Sequence, residues 1–95
     1  MAAYLIAEIR VTDAAGYEEY RNRISPVIAY HGGKYLVRGG KTELLEGADE
    51  PGRIVVLEFP TLKKLEDFFH SSEFSALREL RKQSAASRII AVEGV

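Results

Sequence analysis

The sequence has no cysteine and no tryptophan, only two histidines and a single asparagine. Without cysteine there is no disulfide scaffold, no thiolate metal site and no cysteine nucleophile. The two histidines, His31 and His70, lie in different segments with neither an HxH nor an HxxxH spacing, so no metal site is expected. Long apolar runs are missing as well; the longest are a handful of residues, against the ~18 that span a bilayer. Glu8 and Arg10 interrupt the apolar start of the chain and no small-residue cleavage site follows, which argues against a signal peptide. A cytoplasmic protein with no membrane association is the expectation. Nor is there an excess of either charge. Thirteen Lys+Arg against fourteen Asp+Glu leave a net charge of −1, which does not advertise a nucleic acid or other polyanion. The glycine pairs at 32–33 and 39–40 flank a strand instead of joining a strand to a helix N-terminus. They match no nucleotide-binding loop, and no cofactor is expected.

What is there is an ordinary globular balance, 46% hydrophobic and 28% charged over 95 residues, the size of one domain covering residues 1–95. The run from Tyr4 to Val11 is rich in β-branched and aromatic residues and reads as a first strand. Thr12-Asp13 offers an N-cap to a helix whose apolar face carries Tyr17, Tyr20, Ile24, Val27 and Ile28. Pro26 falls inside that helix and predicts a kink or a tightened last turn, and Gly32-Gly33 ends it. A second strand covers Lys34 to Arg38. Gly39-Gly40 predicts a bulge or close approach there, with pairing resuming through Thr42–Leu45. Residues 47–52 are a turn by composition. Arg53–Phe59 is a third strand, apolar enough to be central and buried on both faces. Pro60-Thr61 caps a second helix carrying Leu62, Leu65, Phe68 and Phe69. The pattern breaks at His70-Ser71-Ser72 and restarts as Phe74, Leu77 and Leu80; Arg88–Glu93 is a fourth strand.

The order βαββαβ specifies an α+β, ferredoxin-like fold: a four-stranded antiparallel sheet with its helices on one face. Strand three is apolar in both directions, Ile54 and Val56 one way, Val55, Leu57 and Phe59 the other. Strand one behaves likewise, with Ile6 opposite to Leu5, Ala7 and Ile9. The face without helices therefore needs a cover. The economical one is a second copy packed sheet to sheet, a homodimer.

Several blocks carry a family likeness: Ala3–Ile6 running into Val11-Thr12-Asp13, then Tyr17–Tyr20, the HGGKYLVRGG run from His31 to Gly40, Glu46-Gly47, Pro51–Pro60, and the closing Glu93-Gly94-Val95. Together they resemble the domain-of-unknown-function 1330 family of the dimeric α/β-barrel superfamily, over nearly the whole chain. That resemblance implies a homodimer whose two sheets form a barrel, with a pocket in each subunit between sheet and helices. It also implies a fold shared with cofactor-free monooxygenases and muconolactone isomerases. It implies no particular reaction, because fold and chemistry are separable.

Six residues are the site candidates. His31 projects with the apolar stripe of the first helix and is a candidate catalytic base; the competing reading is a C-cap, where its ring suits the helix dipole. Arg38 stands in an apolar strand before Gly39-Gly40 and must find a partner, either a ligand carboxylate or enolate, or an acid at a barrel seam: Glu8, Glu58 or one from the partner subunit. Arg81 falls on the core stripe of the last helix, where it either joins Arg38 in a cationic pocket or snorkels to water. Arg78 falls at the edge of that stripe and reads as solvated. Glu58 is the second catalytic candidate. With Glu8 at a comparable height on the neighbouring strand it forms a proton shuttle, unless Lys41 and Arg10 neutralise the two acids. Tyr20 and Tyr35 complete the candidates as ligand-binding hydroxyls, against the alternative of core packing; His70 reads as a local cap.

The first functional expectation is a cofactor-free enzyme of isomerase or monooxygenase type, acting on a small acidic or enolisable molecule. The alternative is a non-catalytic dimeric binding or scaffolding module. RNA binding fits poorly, because strand three lacks the stacking aromatics and basic sheet that RNA-recognition modules need. An acylphosphatase would need a strand asparagine, and Asn22 lies in a helix. An enzyme predicts Arg38, His31 and Arg81 around one cavity, whereas a scaffold predicts each satisfied by protein partners.

Overall fold

The computed structural model describes residues 1–95. The elements are β1 (Ala3–Val11), α1 (Ala14–Tyr30), β2 (Lys34–Arg38), β3 (Arg53–Phe59), α2 (Leu62–Phe69), α3 (Ser72–Ser84) and β4 (Ala85–Glu93). The four strands form one antiparallel sheet in the order β2-β3-β1-β4, the ferredoxin-like arrangement. Sequence-local chemistry sets the helix ends. Asp13 caps α1 by accepting from the Gly16 amide at 3.3 Å, and Thr61 caps α2 by accepting from Lys64 at 3.1 Å. Ser71 caps α3 through the Phe74 amide at 3.2 Å. α1 runs on through Pro26 to Tyr30 and closes on Gly32, whose φ of 83° is open to glycine. There Gly32 and Gly33 donate to the carbonyls of Ala29 and Ile28 at 3.0 and 2.9 Å, satisfying acceptors that the helix end leaves free.

Alternation along the strands divides the sheet into two unlike faces. Ala3, Leu5, Ala7 and Ile9 of β1, with Leu57 and Phe59 of β3, point to the helices and are buried. They meet Tyr17, Ile24 and Ile28 of α1, and Phe68, Phe74 and Leu77 of α2 and α3. Phe68 is the hub of an aromatic cluster, with ring centroids 5.2 Å from Phe59 and 4.8 Å from Phe74. On the other face Ile6, Ile54 and Val56 are half-buried, and Ile90, Val92, Leu36 and Val37 are exposed. The molecule is a slab only 17 Å through its thin axis, one sheet and one helix layer.

Four details depart from the sequence reading. Pairing does not resume at Thr42–Leu45; residues 40–52 form no strand. The last ladder bond is Gly39 N–H to Ile54 O at 2.8 Å, and Gly39 then turns with φ of 69°. The Arg53 guanidinium occupies the space a side chain at Gly39 would need, so the turn is fixed by packing as well as by backbone freedom. Second, of the bulge or close approach expected at Gly39-Gly40, Gly39 has the close approach, to Arg53, and the bulge falls earlier in the ladder. Tyr35 pairs with Leu57 and Val37 with Val56, so Leu36 is the extra residue. Third, β4 begins three residues earlier than expected, at Ala85. Fourth, β3 is central in the sheet but buried on only one face within a single chain.

Candidate functional site

The bulge at Leu36 decides what the pocket contains. Strict alternation would place Tyr35 and Arg38, three residues apart, on opposite faces. With one residue bulged out, both take inner-face positions, opposite Leu57 and Val55. Arg38 then lies over the Tyr35 ring, 4.6 Å from its centroid, and donates to Ser25 Oγ at 3.4 Å. Ser25 Oγ is in turn 3.3 Å from the Tyr35 hydroxyl. Arg38 and Tyr35 form one side of a cavity of about 50 Å³ between the sheet and the helices.

Three more arginines line the same cavity: Arg21 of α1, Arg53 of β3 and Arg81 of α3. No aspartate or glutamate lines it. The one carboxylate paired with any of the four is the exposed Glu18, 3.4 Å from Arg21. Arg53 approaches the Arg38 carbonyl at 3.5 Å and faces the Tyr17 ring at 5.8 Å. Arg81 is the deepest. It is 5% exposed, and its Nε and Nη1 are buried with no hydrogen-bond partner; the Nε of Arg21 and of Arg53 are in the same condition. Tyr20 adjoins Arg81. Burial raises the Tyr20 phenol above its ordinary value, while the neighbouring guanidinium pulls the other way and does not prevail. The cavity thus holds fixed positive charge, phenolic hydroxyls and apolar walls. It contains no histidine, aspartate or glutamate.

Four of the six sequence candidates line this cavity: Arg38, Tyr35, Arg81 and Tyr20. His31 does not. It is the C-cap of α1, 14% exposed, with Nε2 3.1 Å from Glu73 Oε1 and its ring against Phe68 and Tyr30. The α1 stripe does carry it toward apolar neighbours, but one turn beyond the cavity. Glu58 lies on the opposite face of the sheet, 3.2 Å from Lys34. The expected pairing of Glu58 with Glu8 is absent, because the register sets Glu58 against Tyr4 and Glu8 against Ile54, four residues away along β1. Nor are Lys41 and Arg10 the partners: Glu8 accepts from the Gly52 amide at 3.1 Å, and Arg10 donates to the Glu50 carbonyl at 2.7 Å. Arg38 reaches neither acid. Arg81 does not snorkel, and Arg78 is half-buried; it donates to the Phe69 carbonyl at 2.9 Å and covers the Phe69 ring at 4.7 Å. His70 is the C-cap of α2.

Arg53, Arg21 and Tyr17 belong to the cavity and were not singled out in the sequence. Arg53 had a signal, an arginine opening the most apolar strand on the parity of Val55 and Leu57. Arg21 had none, since it reads as one half of an i,i+3 pair with Glu18. No group of three His, Asp or Glu side chains gathers anywhere to hold a metal, and no helix is long and apolar enough to cross a membrane.

The DUF1330 family model, described as a domain of unknown function, matches residues 2–95. The chain belongs to that family. Among solved structures it is similar to a protein of unknown function from Rhodopseudomonas palustris, at 18% identity and a TM-score of 0.80, covering 99% of this chain and 82% of that one. It is also similar to SnoaB, a cofactor-independent oxygenase from Streptomyces nogalater, at 12% identity and a TM-score of 0.70, covering 99% and 93% of the two chains. A protein from Caulobacter crescentus CB15, provisionally named an antibiotic biosynthesis monooxygenase, matches at 19% identity and a TM-score of 0.67, covering 99% and 90%. At these identities the likeness is one of fold. A search of the curated proteins finds no relative of this chain.

Proposed function

We propose that this DUF1330 chain binds a small acidic, enolisable molecule in the arginine-lined cavity and stabilises its enolate without drawing on a cofactor. The observation that carries this reading is the charge imbalance of the cavity: four guanidinium groups, no carboxylate, and buried N–H groups left without acceptors. A buried unpaired cation costs several kcal/mol, and an anionic ligand is what offsets it. Positive charge held in place also stabilises the enolate oxygen that forms when the α-C–H bond breaks, which lowers the pKa of that carbon acid; its proton passes to water. Arg38 and Arg81 are the assigned anion ligands, with Tyr35 and Tyr20 as hydroxyl donors. Isomerisation would return the proton to a different atom; oxygenation would pass the enolate electrons to O2. The fold shared with SnoaB is compatible with the second.

The test is NMR-monitored exchange of α-protons for solvent deuterium in small 2-oxo and 3-oxo acids, with wild type and Arg81→Met. Exchange in wild type that is lost in the variant supports the enolate reading. Binding without exchange leaves a non-catalytic ligand-binding module. That second reading is favoured by one observation, that His31 and Glu58 both lie outside the cavity. The proposal extends to assembly: a second copy covers the apolar outer face around Ile6, Val56 and Ile90, and sedimentation equilibrium of wild type and Val56→Lys tests it.

A further inference from the structure

A second cavity, of about 180 Å³, opens between α2 and β4. It is more than three times the volume of the arginine cavity, and six of its eight lining residues are apolar. Leu5, Phe69 and Ile89 line both cavities, so the two are neighbours that share these side chains. The larger chamber exists because β4 carries only alanine at position 91, opposite Leu5, and the helices leave that inner-face position exposed. Its two polar residues are Glu66 and His70. Phe69 forms part of the partition from the last residue of α2, immediately before the break that separates it from α3.

We infer that the two cavities are the two ends of one site and that its ligand is an amphipathic organic acid. The acid group sits among the arginines and an apolar body passes Phe69 into the chamber between α2 and β4. This rests on the reading of the arginine cavity as an anion site. Three observations carry it further. The arginine cavity holds only a few waters' worth of space, a single water needing ~10–15 Å³, so it fits a headgroup and little more. The neighbouring chamber offers apolar walls and no lysine or arginine. Glu66 repels a carboxylate there, which sets the direction of entry: charged end toward Arg81, apolar end toward Ala91.

The experiment is calorimetric titration of straight-chain monocarboxylates from acetate to octanoate into wild type, Arg81→Met and Ala91→Phe. The expected result in wild type is a gain of about fourfold in affinity per methylene once the chain passes Phe69, levelling off when the chamber is full. Ala91→Phe fills the chamber and flattens that series. A Phe69→Trp variant supplies the chain's only tryptophan, and its emission should respond to octanoate and not to acetate. Affinity that depends on Arg81 but not on chain length overturns the two-chamber site and leaves the anion reading standing. A length dependence that persists in Ala91→Phe, with the indole emission of Phe69→Trp unmoved, also overturns it. If no acid of any length binds, the anion reading falls, and this inference with it.

Discussion

The two faces of the sheet treat charge in opposite ways. On the outer face each acid has a partner: Glu58 has Lys34 at 3.2 Å and Glu8 has the Gly52 amide at 3.1 Å. On the inner face four arginines surround a cavity with no carboxylate, and several of their buried nitrogens bond nothing. Satisfied charge is architecture; unsatisfied buried charge is a standing cost that a ligand offsets. The apolar residues divide the other way. Those of the inner face are covered by helices within the chain, whereas those of the outer face have no cover within it.

Adjacent residues of β3 give the sharpest test of that division. Leu57 is 4% exposed among the helices, while Val56 is half-buried on the open face. Leu57→Ala should cost about 2–5 kcal/mol in urea denaturation at any protein concentration. Val56→Ala should cost about 1 kcal/mol or less in dilute protein, and more as concentration rises, since a covering second copy couples stability to association. Equal costs at every concentration would remove the proposed dimer face.

Arg81 gives the next largest effect, with opposite signs in its two readouts. Arg81→Met should weaken binding of small carboxylates by about a hundredfold or more, because truncation removes the deepest charged donor. The same change should stabilise the ligand-free protein by about 1–3 kcal/mol, because an apolar side chain replaces a buried cation two of whose nitrogens bond nothing and whose polar neighbour is the Tyr20 phenol. A structural arginine predicts destabilisation instead. The sign of the change in melting temperature without ligand therefore separates the two roles before any substrate is known.

The fold was legible because its signals are periodic and local. Alternation along Tyr4–Val11 and Arg53–Phe59, the Asp13 and Thr61 caps and the Gly32 stop each act within a few residues, and all agree with one another. The site was legible only in part. Arg38 and Arg81 stood out as charges in apolar settings. The cavity's composition, however, depends on the Leu36 bulge, and register shifts of one residue leave no mark on an apolar run such as Tyr35-Leu36-Val37. His31 shows the converse: its helical angle was right and its height was not, because an angular reading says nothing about distance along the axis. Glu8 and Glu58 went astray through the same omission, a four-residue offset in register.

Tyr20 extends the comparison to high pH. Burial holds its folded-state pKa above 10, so the unfolded chain releases that proton first. Stability should then fall as pH climbs past 10 toward the folded-state value. Tyr20→Phe should lose less over that range than wild type, measured as the difference between two urea midpoints.

The smallest effect belongs to the His31–Glu73 contact, which lies away from the cavity and on the surface. A hydrogen bond from Ser72, then one from His31, holds the Glu73 carboxyl below its ordinary value. A carboxylate more acidic in the folded state takes up protons preferentially on unfolding, so its contribution is full above about pH 4.5 and disappears as pH falls through the folded-state value. Glu73→Gln should leave the melting temperature near wild type in acid and slightly lower it at neutral pH, with ligand affinity unmoved, because neither His31 nor Glu73 lines the cavity or bonds one of its arginines. A change in carboxylate affinity would mean instead that the C-cap of α1 and the cavity move together, and that His31 reaches the site through the helix it ends.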